Sequence, residues 1–219
     1  MILKPASETP LTAIWVADVM KRAGAPDGVV NVITTSKSSE VMSAMMSDKR
    51  VKTVSFTGST YVGKILLRQA AESVMKASME LGGNAPFVVL EGADVDQAVA
   101  GAMVAKMRNG GAACTAANRF YIHESISKEF SQKFTTALGA LKVGPGVNAD
   151  TELGAMVSIK ERDKILELVE KARAEGGDVV STSIVPTTGA YLSPYIVSGV
   201  KHGSILTKRR NLWTSCSNR

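Results

Sequence analysis

Apolar residues along this chain change spacing repeatedly, and the alternation predicts helices and strands in turn. Residues 1–4 read as the end of an apolar strand. Pro10 suits a first helical position, and Leu11, Ile14, Trp15 and Val19 follow at helical spacing until Gly24, which predicts a helix over 11–23. A strand over 29–33 is entered through Pro26-Asp27-Gly28. A helix at about 40–46, a strand over 52–56, a helix at about 59–73 and a strand over 76–81 follow. Strands alternating with helices at this pitch argue for an α/β layer built on a parallel sheet.

The second half continues the pattern. Residues 85–90 form a short apolar strand. Residues 94–108 form a helix, with Val95, Ala98, Val99, Ala102 and Met103 on one face and Asp94 suited to cap its start. A strand over 120–123 and a helix over 126–138 with Phe130 and Phe134 inward come next. A charged helix over 158–174 and a strand over 191–197 containing Pro194 complete the reading.

Composition narrows the class. Hydrophobic residues make up 45% of the 219 and charged residues 21%, which is globular usage with enough apolar surface for one large domain or two small ones. No apolar run approaches the roughly 20 residues that span a bilayer, and the first residues lack the charged and apolar regions of a secretory leader. Two cysteines, Cys114 and Cys216, make no disulfide framework, so a cytoplasmic protein that binds no membrane is expected. The formal charge of +6 is scattered except for Lys208-Arg209-Arg210, and neither a basic stripe nor interleaved aromatics suggest nucleic acid. Neither His123 nor His202 has metal-ligand spacing around it, and no metal is expected.

The candidate chemistry lies between residues 79 and 119. Glu80 stands before Gly82-Gly83, and Cys114 follows thirty-four positions later within Asn109-Gly110-Gly111-Ala112-Ala113-Cys114. A thiolate attacks carbonyl carbon, and a carboxylate can activate a thiol or a water. Read alone, a residue such as Cys114 is usually an inert small hydrophobe and one such as Glu80 a solvated strand end. Upstream, Gly58-Ser59-Thr60-Tyr61-Val62-Gly63 is a strand-to-helix turn whose backbone N–H groups would suit an anion. It is not the GxGxxG fingerprint.

Together these segments resemble the aldehyde dehydrogenase superfamily. Glu80-Leu81-Gly82-Gly83-Asn84-Ala85-Pro86 and Cys114-Thr115-Ala116-Ala117-Asn118-Arg119 carry the likeness, most closely to succinate-semialdehyde dehydrogenases. Lys4-Pro5-Ala6-Ser7-Glu8-Thr9-Pro10 resembles the family's lysine motif, and Phe56 to Gly63 its glycine motif. The resemblance implies a partial Rossmann-type parallel-sheet cofactor domain over 1–81, followed by a partial α/β catalytic domain over 82–206. It implies that Lys4, Ser7, Gly58, Ser59, Gly63 and Leu81 bind NADP or NAD. Ser7 stands where NAD-preferring members carry Glu, which leans the expectation toward NADP with NAD still open. It further implies that Cys114 adds to an aldehyde, that the Cys114 N–H and a side-chain amide hold the oxyanion, and that Glu80 activates the water that hydrolyses the thioester. Ala112 departs from the pattern, since the family often has Gln there.

The likeness covers residues 1 to about 206, the middle of a chain normally more than twice as long. Full-length members form homo-oligomers, and the strand that builds their dimer is expected to be missing here, as are the asparagine of the oxyanion hole and the glutamate that holds the nicotinamide ribose. Residues 207–214 can be encoded by a string that in the next frame reads Arg-Lys-Glu-Glu-Ile-Phe-Gly-Pro, so a frameshift near residue 206 and an unrelated tail over 207–219 are expected. Two functional classes follow: an aldehyde-oxidising enzyme acting on a small aldehyde such as succinate semialdehyde, or a catalytically silent fragment of the same family.

Overall fold

The computed structural model describes residues 1–200, 203, 204 and 206. Cys216, His202, the Lys208-Arg209-Arg210 cluster and the tail over 207–219 lie outside these. Chain contacts divide into two units, one of Met1–Thr57 with Tyr61–Met79 and one of Gly58–Thr60 with the chain from Glu80 onward.

In the first unit, β1 (Ile2–Leu3) pairs in parallel with β2 (Asn31–Val32), the link running through α1 (Pro10–Arg22). Pro10 sits in the first turn of α1, where its missing N–H costs nothing. The expected apolar stripe on α1 forms, yet no residue of this helix is buried: Leu11 is 78% and Trp15 62% exposed. Then come α2 (Ser38–Ser47), β3 (Thr53–Gly58), α3 (Thr60–Glu72) and β4 (Lys76–Leu81), with β3 beside β4. The core of this unit is small and sulfur-rich. Met46, Val54, Ala70 and Met75 are buried, with Met42 and Met79 packed against them.

The second unit holds a larger core. Here β5 (Ala85–Val89) pairs in parallel with β6 (Ala117–Ile122), and between them run α4 (Val95–Met107) and a 3-10 turn (Arg108–Gly111). After β6 come α5 (Glu124–Gly139), α6 (Ile159–Ala174) and an antiparallel pair, β7 (Asp178–Ser181) with β8 (Tyr195–Ser198). Phe87 of β5, Phe120 of β6 and Phe130 and Phe134 of α5 form a chain of tilted rings with centroids 5.3–5.5 Å apart. Val95, Val99 and Ala102 of α4 close this core. Aromatic pairs at that separation add about 0.5–1.5 kcal/mol each beyond area burial. The core therefore ties α4 and β6, the two stems of the Cys114 loop, to α5.

The α/β architecture expected from the alternation is present, and several bounds differ. β6 begins at Ala117, three residues before the expected start. β8 begins at Tyr195, because Ser193 spends its hydroxyl on the amides of Thr182 and Ser183 at 3.3 and 2.9 Å, outside a ladder. β7 was not foreseen, and its pairing with β8 is antiparallel. Among the described residues the strands pair two by two.

Candidate active site

The Glu80 corner and the Cys114 loop belong to the same unit. Glu80 is exposed near the end of β4, with half-buried Leu81 beside it. After Leu81 the chain turns through Gly82 and Gly83 into β5. The Cys114 loop leaves α4 through Asn109, Gly110 and Gly111, whose φ angles of 52, 60 and 79° form a short left-handed run. Two of those positions carry glycine and the third carries asparagine, the side chain that best tolerates this region. Asn109 fastens the turn, its Nδ2 donating to the Ala112 carbonyl at 3.1 Å while the Ala112 N–H donates to the Asn109 carbonyl at 3.0 Å. Beyond it, the Ala116 N–H donates to the Ala113 carbonyl at 3.1 Å, so Cys114 stands within a second tight turn and is exposed.

Three contacts bind corner to loop. A Cβ on Gly83 would stand 3.0 Å from the Cys114 carbonyl oxygen, so the two backbones touch at a position that tolerates no side chain without displacement. Arg119 Nη2 donates to the Asn84 carbonyl at 2.7 Å. The β5–β6 ladder begins at Ala85 and Ala117, immediately after each segment. The corner and the loop, whose carboxylate and thiol are thirty-four positions apart in sequence, thus meet at the same end of one parallel pair.

Lys106 was missed. Val95, Val99 and Ala102 mark the buried stripe of α4, and the next position on that stripe is a lysine, 1% exposed. Its Nζ donates to Asn118 Oδ1 at 2.7 Å, and Asn118 is 3% exposed. The sequence carried the signal, since Lys106 follows Ala102 and Val99 by four and seven positions. A lysine in a last helical turn is ordinarily taken as solvated and favourable to the helix dipole.

Apart from Leu81, the residues expected at a cofactor lie away from this constellation in sequence. Gly58 is exposed at the end of β3 and Ser59 exposed between β3 and α3, and Gly63 is buried in the first turns of α3. Lys4 is half-buried, its Nζ donating to the Pro5 carbonyl at 2.7 Å and to Ser38 Oγ at 3.4 Å. Ser7 lines an open cavity of about 540 Å³ with Thr34, Thr35, Ser36 and Lys37. Hydroxyls with one ammonium suit a ribose and an attached phosphate, so the wall fits that part of a dinucleotide; Lys37 Nζ lies 3.3 Å from Glu40. His123 is an N-cap rather than a catalyst: its Nδ1 accepts from the Ser125 N–H at 3.4 Å and lies 2.8 Å from Ser125 Oγ. Among the described residues no three His, Cys, Asp or Glu side chains gather as a metal site, and no helix is long and apolar enough to cross a membrane.

A profile of the aldehyde dehydrogenase family matches residues 1–209. The chain belongs to the aldehyde dehydrogenase family. The chain is 46% identical over 208 residues to a succinate-semialdehyde dehydrogenase of Paenarthrobacter nicotinovorans, covering 94% of this chain and 46% of that protein. It is 38% identical over 210 residues to the NADP(+)-dependent succinate-semialdehyde dehydrogenase 1 of Schizosaccharomyces pombe, covering 95% and 42%. The crystal structure of an NADP-dependent enzyme of E. coli superposes with a TM-score of 0.94 at 36% identity, over 100% of this chain and 46% of that one. The chain thus spans somewhat less than half the length of the curated relatives it matches.

Proposed function

We propose that this chain carries the nucleophile and the base of an aldehyde oxidation, with Cys114 and Glu80 in those roles, NADP or NAD as cofactor and succinate semialdehyde as the substrate. We assign residues 1–81 to the cofactor part and 82–206 to the thiol part, with 207–219 as an unrelated tail. The observation that supports the reading most is the close approach of Gly83 to the backbone carbonyl of Cys114 itself. The names of the relatives agree with the substrate and the cofactor.

The proposed chemistry runs through the chain's own residues. The Cys114 sulfur forms a C–S bond to the aldehyde carbon while the carbonyl π pair moves to oxygen, and backbone N–H groups of the loop are the donors available to that oxyanion. When bound, the cofactor supplies an acceptor for the hydride that leaves this carbon, and the carbon–sulfur adduct becomes a thioester. Glu80 takes a proton from water, the water oxygen adds to the thioester carbon, and the C–S bond breaks to release carboxylate and free Cys114. Glu80 is exposed at a glycine corner, so its carboxylate can swing away while the cofactor occupies the site and return for hydrolysis. Ser7 favours the phosphorylated dinucleotide because no carboxylate at that position repels a 2′-phosphate. Lys4 would serve the same ribose on turning from the Pro5 carbonyl.

The test is to incubate the chain with succinate semialdehyde and NADP, then measure both reduced cofactor and the mass of the peptide bearing Cys114. An acyl adduct that builds up in Glu80→Gln and is absent from Cys114→Ala is the expected result. No adduct in any variant favours the second reading, a catalytically silent piece of the same family.

A further inference from the structure

Lys106 is the one cation in the described chain that is almost completely withdrawn from solvent, at 1% exposure. It lies in the last turn of α4, three residues before the left-handed run that starts the Cys114 loop. Its partner Asn118 lies four residues after Cys114, at the second position of β6. The 2.7 Å bond between them therefore closes the base of the loop from both stems.

The backbone is shaped to make this bond. Ala85 faces Ala117 and Pro86 faces Arg119, which leaves Asn118 as an extra residue in β6, a bulge of a kind rare between parallel strands. Pro86 cannot donate to the ladder, and a bulge is one of the few places where a strand accommodates it. A bulge re-aims the side chain at its extra residue. Ala117 and Asn118 are both buried although successive strand residues should alternate, so the bulge turns the asparagine amide inward, onto Lys106. Four departures from local rule meet here: a lysine on an apolar stripe, a proline in a strand, a parallel bulge and a buried amide. Burying an ammonium is costly and is met by hydrogen bonds in a fixed arrangement.

We propose that Lys106 is the positioning residue of the thiol loop, acting through Asn118 to fix the stems between which Cys114 stands. It touches no reacting atom, and its effect reaches Cys114 through the backbone of residues 109–117. This rests on the reading of Cys114 as the nucleophile.

The test uses the full chain and mass spectrometry resolved by peptide, comparing the unmodified protein with Lys106→Met, Lys106→Arg and Asn118→Ala. Lys106→Met and Asn118→Ala are expected to speed amide exchange across 109–117 by about tenfold or more, as loss of a hydrogen bond to a charged group should. The β7–β8 pair should keep its protection, and iodoacetamide should alkylate Cys114 at a rate moved toward that of the unfolded chain. Lys106→Arg, which keeps a charged donor, should restore both. Native exchange in the loop of a folded Lys106→Met chain overturns the proposal. So does uniform loss of protection in both Lys106→Met and Asn118→Ala, which would make the pair a support of the whole unit. An unmodified chain whose Cys114 already reacts at the unfolded rate would sink the nucleophile reading instead, while the exchange measurement would still decide the role of Lys106.

Discussion

Gly82 and Gly83 are neighbours with opposite tolerances. A Cβ on Gly83 would meet the Cys114 carbonyl oxygen at 3.0 Å, whereas one on Gly82 would meet nothing within 4 Å. Gly83→Ala should therefore lower stability by about 1–3 kcal/mol through overpacking of backbone against backbone, and it should disturb the Cys114 loop. Gly82→Ala should stay within about 0.5 kcal/mol. Thermal melts of the two variants check this, and equal effects would remove the corner-to-loop contact from the argument. Away from the site, the Arg50 guanidinium, with help from its own backbone N–H, holds the Asp48 carboxyl at about 2, below its ordinary 3.8. A depressed carboxyl stabilises the fold above its unfolded value, and that contribution fades as pH falls from 3.8 through about 2. Arg50→Ala should raise the Asp48 midpoint toward 3.8 in an NMR titration, and an unmoved midpoint would leave the backbone N–H as the whole cause. At this scale Cys114, Glu80 and Ser7 are proposed from the sequence because their surroundings resemble a family pattern. Lys106 escaped, since its role depends on the bulge that turns Asn118, and a bulge leaves no mark in a run such as Ala117-Asn118-Arg119.

The start of α4, one stem of the thiol loop, rests on a cap legible in the sequence: Asp94 accepts from the Gln97 N–H at 3.0 Å. Ser158 caps α6 in the same way, accepting from the Glu161 N–H at 3.2 Å, although the sequence marks it only as the start of a helix. Asp94→Ala should cost about 0.5–2 kcal/mol, seen as a lower melting midpoint. Because α4 is one stem of the thiol loop, amide exchange over 109–117 should rise with it. A drop in stability with the loop unchanged would mean that the start of α4 and the loop move independently. α5 shows why some elements were legible: Phe130 and Phe134 recur at helical spacing, and both are 1% exposed. β7 was not, since Asp178-Val179-Val180-Ser181 is short and earns its place only by pairing with β8 across thirteen intervening residues. β6 was legible from Phe120 onward, where alternation resumes after the bulge.

The described residues leave much apolar surface in water. On α1, Leu11, Ile14, Trp15, Val16, Val19 and Met20 are all exposed, and so are Val88 and Leu90 at β5 and Val104 on α4. The helical period of α1 was readable from the sequence, but its lack of a covering layer was not, because periodicity states which face is apolar and says nothing of what lies against it. Among the described residues the strands also pair only two by two, so each pair presents edges with free N–H and C=O groups. A soluble monomer rarely shows contiguous apolar patches above a few hundred Å², and a net charge of +6 spread over 219 residues opposes association weakly. The chain expressed alone should therefore self-associate at micromolar concentration. Light scattering on freshly purified protein should give a mass above the 23.1 kDa of one chain and rise with concentration. Trp15→Glu, placed on a helix with no buried residue, should reduce that association without lowering the melting midpoint, since nothing in the core depends on it. A 23.1 kDa species at every concentration that unfolds in one cooperative step would show that these faces are covered within the chain itself.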